Sequence, residues 1–325
     1  MIISKTPFRI SLIGGGTDFP SYYNHNDGLV IGGTINKYCY VTARFLPNVF
    51  NYKHRIVWSK NEVVKNNKQI IHPTVKAVFH YLKISKGLEI HYQGDLQKNS
   101  GLGTSSSFCV GLINALKNLH GNKVNKLYLA KSSIKIEQDI MNENCGSQDQ
   151  IWASYGGFNS IRFSRKQFKV NKIKISDKKL KSLCKNFFLI YTGINKFSNI
   201  IEKDKLVRFD KNIKYLDQIH QLAKEFKSQI TNTNNFSFVG DILNEYWDLK
   251  KNLSYKVSNY KINEIYKESL NCGASGGKII GSGGGGFLLI YCKKKFHNKL
   301  RKKLFKLPII KFDFVKEGSQ IIFRS

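Results

Sequence analysis

The stretch Ser100–Phe108, "SGLGTSSSF", places two glycines and four consecutive hydroxyl residues directly before "CVGLINALKNL", an apolar run of helical period. One helix start needs only one capping hydroxyl, so the surplus points to a ligand. The successive N–H groups of Gly101, Leu102, Gly103, Thr104, Ser105 and Ser106 at the positive end of the helix form an anion cradle suited to the phosphates of a nucleotide. Around this start the chain alternates strand-like and helix-like segments. Residues 8–16, 38–46, 55–59 and 87–95 read as strands; 74–84, 106–120 and 124–144 read as helices. A new apolar run, "NFFLIYTG" (186–193), opens a second unit with helices near 203–231, 236–251 and 258–271 and the strand "GFLLIYC" (286–292). The pattern predicts an α+β protein of two domains, 1–180 and 181–325.

Composition narrows the class. With 325 residues and 41% hydrophobic residues the chain has material for full cores. No apolar run reaches the roughly 18 residues needed to cross a bilayer, and the N-terminus reads as a strand entering a glycine turn, so no membrane association and a cytoplasmic location are expected. Six scattered cysteines form no metal-ligand or disulfide spacing. The net charge of +31 comes mainly from lysine spread along the whole chain, as in "KKLKSLCK" (178–185). That distribution suits solvated helix faces better than a nucleic-acid surface, and no nucleic-acid partner is expected.

Two further glycine turns flank the first. "LIGGGTD" (12–18) leaves a strand through Gly14, Gly15 and Gly16, with Thr17 and the carboxylate of Asp18 following. "GSGGGGF" (281–287) formally contains G-x-G-x-x-G but enters a strand instead of a helix, which excludes a dinucleotide fingerprint; a P-loop is also absent. Two acids carry more information. Glu137 falls on the apolar stripe Leu127, Ala130, Ile134, Met141, and an inward carboxylate needs a cation. Asp149 lies in "CGSQDQ" (145–150), after that helix should end. With the cradle these residues compose a phosphoryl-transfer site: Ser105 and Glu137 for Mg²⁺, Asp149 to accept a hydroxyl proton, and Arg9 to add positive charge beside it.

"FRISLIGGGTD", "GLGTSSSF" and "GASGGKIIGSGGGGF", in this order and with "CGSQDQ", resemble the motifs of the GHMP kinase superfamily along essentially the whole chain. The resemblance implies an N-terminal domain like the second domain of ribosomal protein S5, a ferredoxin-like C-terminal domain, and ATP between them. It also implies Asp149 as base, Arg9 as its arginine, Ser105 and Glu137 as Mg²⁺ ligands, and Asp18, Thr17 and Gly16, with Gly284 and Gly285 of the third loop, on the substrate side. "GGGTDFPSYY" and "QDQIWASYGGFN" look most like the branch that phosphorylates the anomeric hydroxyl of D-glycero-D-manno-heptose 7-phosphate. Other sugar 1-kinases of the galactokinase and fucokinase type are the alternative, although galactokinases usually carry Glu-His where this chain has Gly15-Gly16. A nucleic-acid-binding module or a sugar sensor without activity is the remote one. Lys196, Ser198 and Lys278 are candidates for a substrate phosphate. The expected partners are a small sugar phosphate and ATP, and the expected state is a monomer or homodimer.

Overall fold

The computed structural model describes residues 1–97, 100–165, 167–195, 198–233 and 235–325. Two sheets organise them. The first contains β1 (Ile2–Ile13), β2 (Gly28–Phe45), β3 (His54–Val57), β4 (Asn61–Val64), β5 (Leu88–Gly94), β6 (Phe158–Ser164) and β7 (Gln167–Lys172). The second contains β8 (Phe187–Tyr191), β9 (Ala274–Ile279), β10 (Phe287–Cys292) and β11 (Ile309–Ile310); a last strand, β12 (Gln320–Arg324), returns to the first sheet. The first sheet runs β12-β1-β2-β5-β3-β4, with β6 and β7 continuing from β2; the second runs β11-β8-β10-β9. The 18-residue β2 is the spine. It pairs with β1 along its length, with β6 through residues 28–33 and with β5 through residues 39–45.

The Thr104–Leu119 helix lies against β1 and β2. Phe108, Cys109, Val110, Leu112, Ile113, Ala115 and Leu116 are all buried in it, and Ser4 Oγ donates to the Gly111 carbonyl at 2.8 Å. A Cβ at Gly111 would stand 2.8 Å from Thr6 Oγ1, so the helix sits closer to the strand than a larger residue would permit. In the second unit the Phe209–Asn232 helix buries Leu216, Ile219, Ala223, Phe226 and Ile230, an i, i+3, i+7 stripe that joins the core of the first sheet. Among the described residues no helix is long and apolar enough to cross a membrane.

Two features depart from the reading by period. The helix expected over 124–144 runs as α-helix only over Lys126–Lys135, then opens into a π turn over Ile136–Ile140, closed by the Met141 N–H on the Ile136 carbonyl at 2.9 Å. Such one-turn widenings re-aim a side chain, and Glu137 lies within this one. The second departure concerns the chain end. A division at residue 180 assigns 181–325 to one unit, whereas β12 pairs antiparallel with β1 from Ile2↔Arg324 to Lys5↔Gln320 and Phe314 bridges Ile35. Pairing across some 320 residues leaves no local pattern to detect.

The return is locked at Gly156, whose φ of 71° and ψ of −179° lie in a region open essentially to glycine alone. A Cβ there would fall 2.0 Å from the Glu317 carbonyl carbon. Gly156→Ala should therefore lower the unfolding free energy by roughly 2–4 kcal/mol. An unshifted urea midpoint would contradict this packing.

Candidate active site

A cleft of about 430 Å³ opens where the end of β1 and the glycine turn after it meet the second unit. Its first wall is the cradle. Gly103, with φ of 72°, precedes the Thr104–Leu119 helix and no side chain caps it, so the first N–H groups of that helix remain for a ligand. Each hydroxyl of the run has its own destination. Ser107 Oγ donates to the Pro7 carbonyl at 2.9 Å, Ser106 Oγ donates to Glu137 Oε2 at 2.7 Å, and Ser105 is exposed on the cleft with Thr104 beside it. Ser106, not Ser105, is thus the direct partner of Glu137. The rotation of about 100° per residue along a helix decides this.

Arg9 and Asp149 meet at the cradle's edge. Arg9 Nε and Nη2 donate to Asp149 Oδ1 and Oδ2 at 2.6 and 2.5 Å, a bidentate pair. Nη1 donates to the Gly101 carbonyl at 2.6 Å, and the Arg9 amide donates to the Leu102 carbonyl at 3.0 Å. The arginine side chain is 5% exposed and the aspartate 23%, so the carboxylate keeps a face toward the cleft. A Cβ at Gly103 would lie 3.2 Å from Arg9 Cγ and 3.3 Å from Asp149 Oδ2, so even a methyl group would crowd the pair.

Glu137 is 1% exposed. Ser106 and Gln150 both donate to its Oε2, while Oε1 has no hydrogen-bond partner among the described residues. Burial pushes its carboxyl up to about 8, and the charge of Glu143, which lines the same cleft, acts in the same direction. An orphaned carboxylate oxygen, a second acid nearby and hydroxyls at the cradle make a donor set that fits a hard divalent cation completing its shell with phosphate oxygens and water. No group of three or more Asp, Glu, His or Cys able to hold a metal alone occurs among the described residues.

Asp18 has a different place from the one expected. It lines the cleft but is fully buried, with Oδ1 accepting from the Gly16 N–H at 2.9 Å and Oδ2 from the Gln148 N–H at 3.3 Å. Its carboxylate thereby ties the first glycine turn to the Gln148–Tyr155 helix that carries Asp149. A Cβ at Gly146 would fall 1.9 Å from Asp18 Oδ2, which requires glycine there. Burial pushes the Asp18 carboxyl up to about 6, the N–H bonds oppose this, and the Asp149 charge adds to it.

Three expected contacts, Thr17, Gly284 and Gly285, are not among the residues that line the cleft. Thr17 is fully buried, its hydroxyl donating to the Gly14 carbonyl at 2.8 Å and accepting from the Leu29 N–H at 3.1 Å. The Leu102 side chain is in the core, so its N–H is the group it offers to the cradle. Gly284 donates to the Val257 carbonyl at 2.7 Å, and Gly285 packs against the Ile194 carbonyl. From that loop Gly281 and Ser282 line the cleft instead. Gly16, Ser198 and Lys278 do line it, whereas Lys196 lies outside the described residues.

The second unit adds two cations that the motifs did not indicate, Lys250 and Lys205, to the expected Lys278. Lys250 Nζ donates to the Ile279 and Gly281 carbonyls at 2.8 and 2.5 Å, and Lys205 Nζ to the Ser282 carbonyl at 2.7 Å. Lys278 is 1% exposed; its Nζ donates to the Ser11 and Leu12 carbonyls at 2.8 Å each and stands 4.3 Å from the Tyr246 ring centre. Burial, with Arg9 and Lys205 nearby, pushes its ammonium well below the usual lysine range. Lys250 had a detectable signal, since it extends the apolar stripe Leu243, Tyr246, Trp247. Glu143 and Lys205 had none.

Known proteins resemble this chain over nearly its whole length. The chain is 29% identical to D-glycero-alpha-D-manno-heptose 7-phosphate kinase of Campylobacter jejuni subsp. jejuni serotype O:2, over 98% of this chain and 97% of that one. It is 26% identical to a galactokinase of Pyrococcus furiosus over 88% and 87% of the two chains. Among solved structures, a D-glycero-D-manno-heptose 1-phosphate kinase from Bacteroides thetaiotaomicron superposes over all of both chains with a TM-score of 0.81 at 21% identity. A putative sugar kinase from Campylobacter jejuni covers 99% of this chain and 98% of its own, with a TM-score of 0.78 at 27% identity. The family model for the GHMP kinases N terminal domain matches residues 69–157 and that for the GHMP kinases C terminal domain matches 219–306. Together they cover just over half of the sequence, and the chain belongs to the GHMP kinases.

Proposed function

We propose that the protein transfers the γ-phosphoryl group of ATP to the anomeric hydroxyl of a sugar phosphate, D-glycero-D-manno-heptose 7-phosphate being the acceptor that fits best. The observation that carries the reaction class is the bidentate Arg9–Asp149 pair joined to the Gly101 carbonyl at the mouth of the cradle. The nucleotide phosphates lie on the N–H groups of residues 101–106. Asp149 takes the proton of the accepting hydroxyl as its oxygen bonds to the γ-phosphorus, the bond to the β,γ-bridging oxygen breaks, and ADP leaves. Arg9 fixes the orientation of the carboxylate and supplies positive charge where the transferring group is most anionic. A bound Mg²⁺ would neutralise the β- and γ-phosphate oxygens. Glu137 Oε1 and the exposed Ser105 hydroxyl are the groups fitted to hold it, with Ser106 orienting Glu137.

The acceptor class rests on charge and on kinship. Lys205 and Lys250 line the cleft with Arg9, an environment suited to an acceptor that is itself an anion. The turn carries Gly15 and Gly16 where the galactokinase type usually carries Glu-His, and the Campylobacter relative bears the name of a heptose 7-phosphate kinase.

Asp149→Asn should retain ATP binding while turnover falls about 10²- to 10⁴-fold, followed by coupled ADP release. Full turnover would remove Asp149 from the mechanism. Lys205→Met should raise KM for the sugar phosphate and leave turnover of the unphosphorylated sugar unchanged; equal effects on both would contradict an anionic acceptor near this wall. A raised carboxyl in the folded state stabilises the fold below its ordinary value of 4.5, and that stability is lost as pH rises toward about 8. Glu137→Gln should therefore melt progressively higher than wild type between pH 5 and pH 8 in the absence of ligands, and lose the rise in melting temperature that Mg²⁺ with an ATP analogue gives wild type. A gap that stays constant with pH would refute the buried, unpaired carboxylate.

A further inference from the structure

The residues first expected to read the sugar are engaged elsewhere: Asp18 braces two loops through backbone N–H groups and Thr17 seals the glycine turn. Polar tips of other residues converge beside Gly15. A Cβ built on Gly15 would stand 3.1 Å from the Tyr246 hydroxyl, 3.5 Å from Gln148 Nε2 and 3.8 Å from Ser11 Oγ. The Tyr246 hydroxyl is committed, donating to the Gly15 carbonyl at 3.2 Å. The other two are not. Ser11 is 5% exposed and Gln148 9%, both line the cleft, and Ser11 Oγ and Gln148 Oε1 have no hydrogen-bond partner among the described residues. Buried polar atoms left unpaired are costly and rare, and in a ligand cleft they mark where a ligand supplies the missing partner.

Their placement selects the part of the ligand. Ser11 is two residues from Arg9 on β1, so both side chains leave the same face of the strand. Gln148 immediately precedes Asp149 in the chain. The two orphans therefore flank the Arg9–Asp149 pair on the side away from the cradle, beside the Gly14–Gly16 turn. We propose that Ser11 and Gln148 are specificity-determining residues that read the hydroxyls of the acceptor next to the one that reacts. Gln148 Oε1 accepts from one sugar hydroxyl, and Ser11 Oγ donates to or accepts from a neighbouring one. The ligand class is a polyhydroxylated ring, and the absence of a side chain at Gly15 keeps the space it occupies. This assignment rests on the sugar-kinase reading above.

Steady-state kinetics of Ser11→Ala and Gln148→Leu, with acceptor and ATP varied separately, test it together with ligand-free melting curves. Each variant should raise the acceptor KM about 10- to 100-fold, the loss typical of a hydrogen bond made in a dry site. KM for ATP should stay as in wild type. Melting temperatures should be unchanged or higher, because each substitution removes a buried group that is unpaired without ligand; a purely structural role predicts lower melting and an unchanged acceptor KM. The 2-deoxy analogue of the accepted sugar supplies a readout on wild type itself. It should be a poorer acceptor, and for at least one of the two variants the penalty for the missing hydroxyl should disappear. An unchanged acceptor KM in both variants, a rise in the ATP KM instead, or a 2-deoxy penalty that persists in both overturns the assignment while leaving the sugar-kinase reading in place. A wild-type protein that turns over no sugar or sugar phosphate defeats that reading and this assignment together.

Discussion

The cleft depends on one ion pair. Arg9 holds Asp149 through two hydrogen bonds, the Gly101 carbonyl through a third and the Leu102 carbonyl through its own amide. Three segments distant in sequence are fixed by a single, nearly buried guanidinium: β1, the cradle before the Thr104–Leu119 helix, and the Gln148–Tyr155 helix. A planar fork of donors can do this, whereas a lysine ammonium could not match both carboxylate oxygens and a carbonyl together. The small residues around it follow from this requirement. Gly103 leaves room for the pair, and Gly146 leaves room for Asp18, which makes a second tie between the first glycine turn and the same helix.

Around that pair the cleft gathers charge of both signs, with Glu202 paired to Lys205 at 3.2 Å on the wall from the second unit. Glu137 and Glu143 stand on the cradle side, and burial holds both carboxyls above the usual range. Lys205, Lys250 and Lys278 stand on the wall from the second unit, with backbone carbonyls directing their ammonium groups. The acids at the cradle suit a cation carried with a nucleotide. The π turn over Ile136–Ile140 is part of this arrangement, since it adds a residue to the helical turn that carries Glu137 and holds that side chain between Ser106 and Gln150.

Much of this was legible in the chain because glycine, hydroxyl and acidic residues stand where regular structure begins or ends. The cradle, Arg9, Glu137 and Asp149 could be found from spacing, and the structure brings all of them to one cleft. Finer features were not legible, for identifiable reasons. Whether Ser105 or Ser106 faces Glu137 depends on a helical rotation set by where the helix starts. Asp18 reads as an exposed turn carboxylate until its backbone donors at Gly16 and Gln148 are seen. The glycines at 284 and 285 look like ligand contacts, yet their small size serves packing, Gly284 against Ile201 and Gly285 against Ile194. The return of β12 to β1 has no local signature at all, and Ser11 is one polar residue in a strand until the atoms around it are known to leave it unpaired.

On the proposed mechanism Arg9 and Asp149 act as a unit. A double-mutant cycle on single-turnover phosphoryl transfer, with Arg9→Met and Asp149→Asn made separately and together, tests it most directly. Residues that act through one another are strongly non-additive. The double variant should therefore be about as slow as the slower single one. Losses that simply multiply would show that the two residues contribute independently and would contradict it.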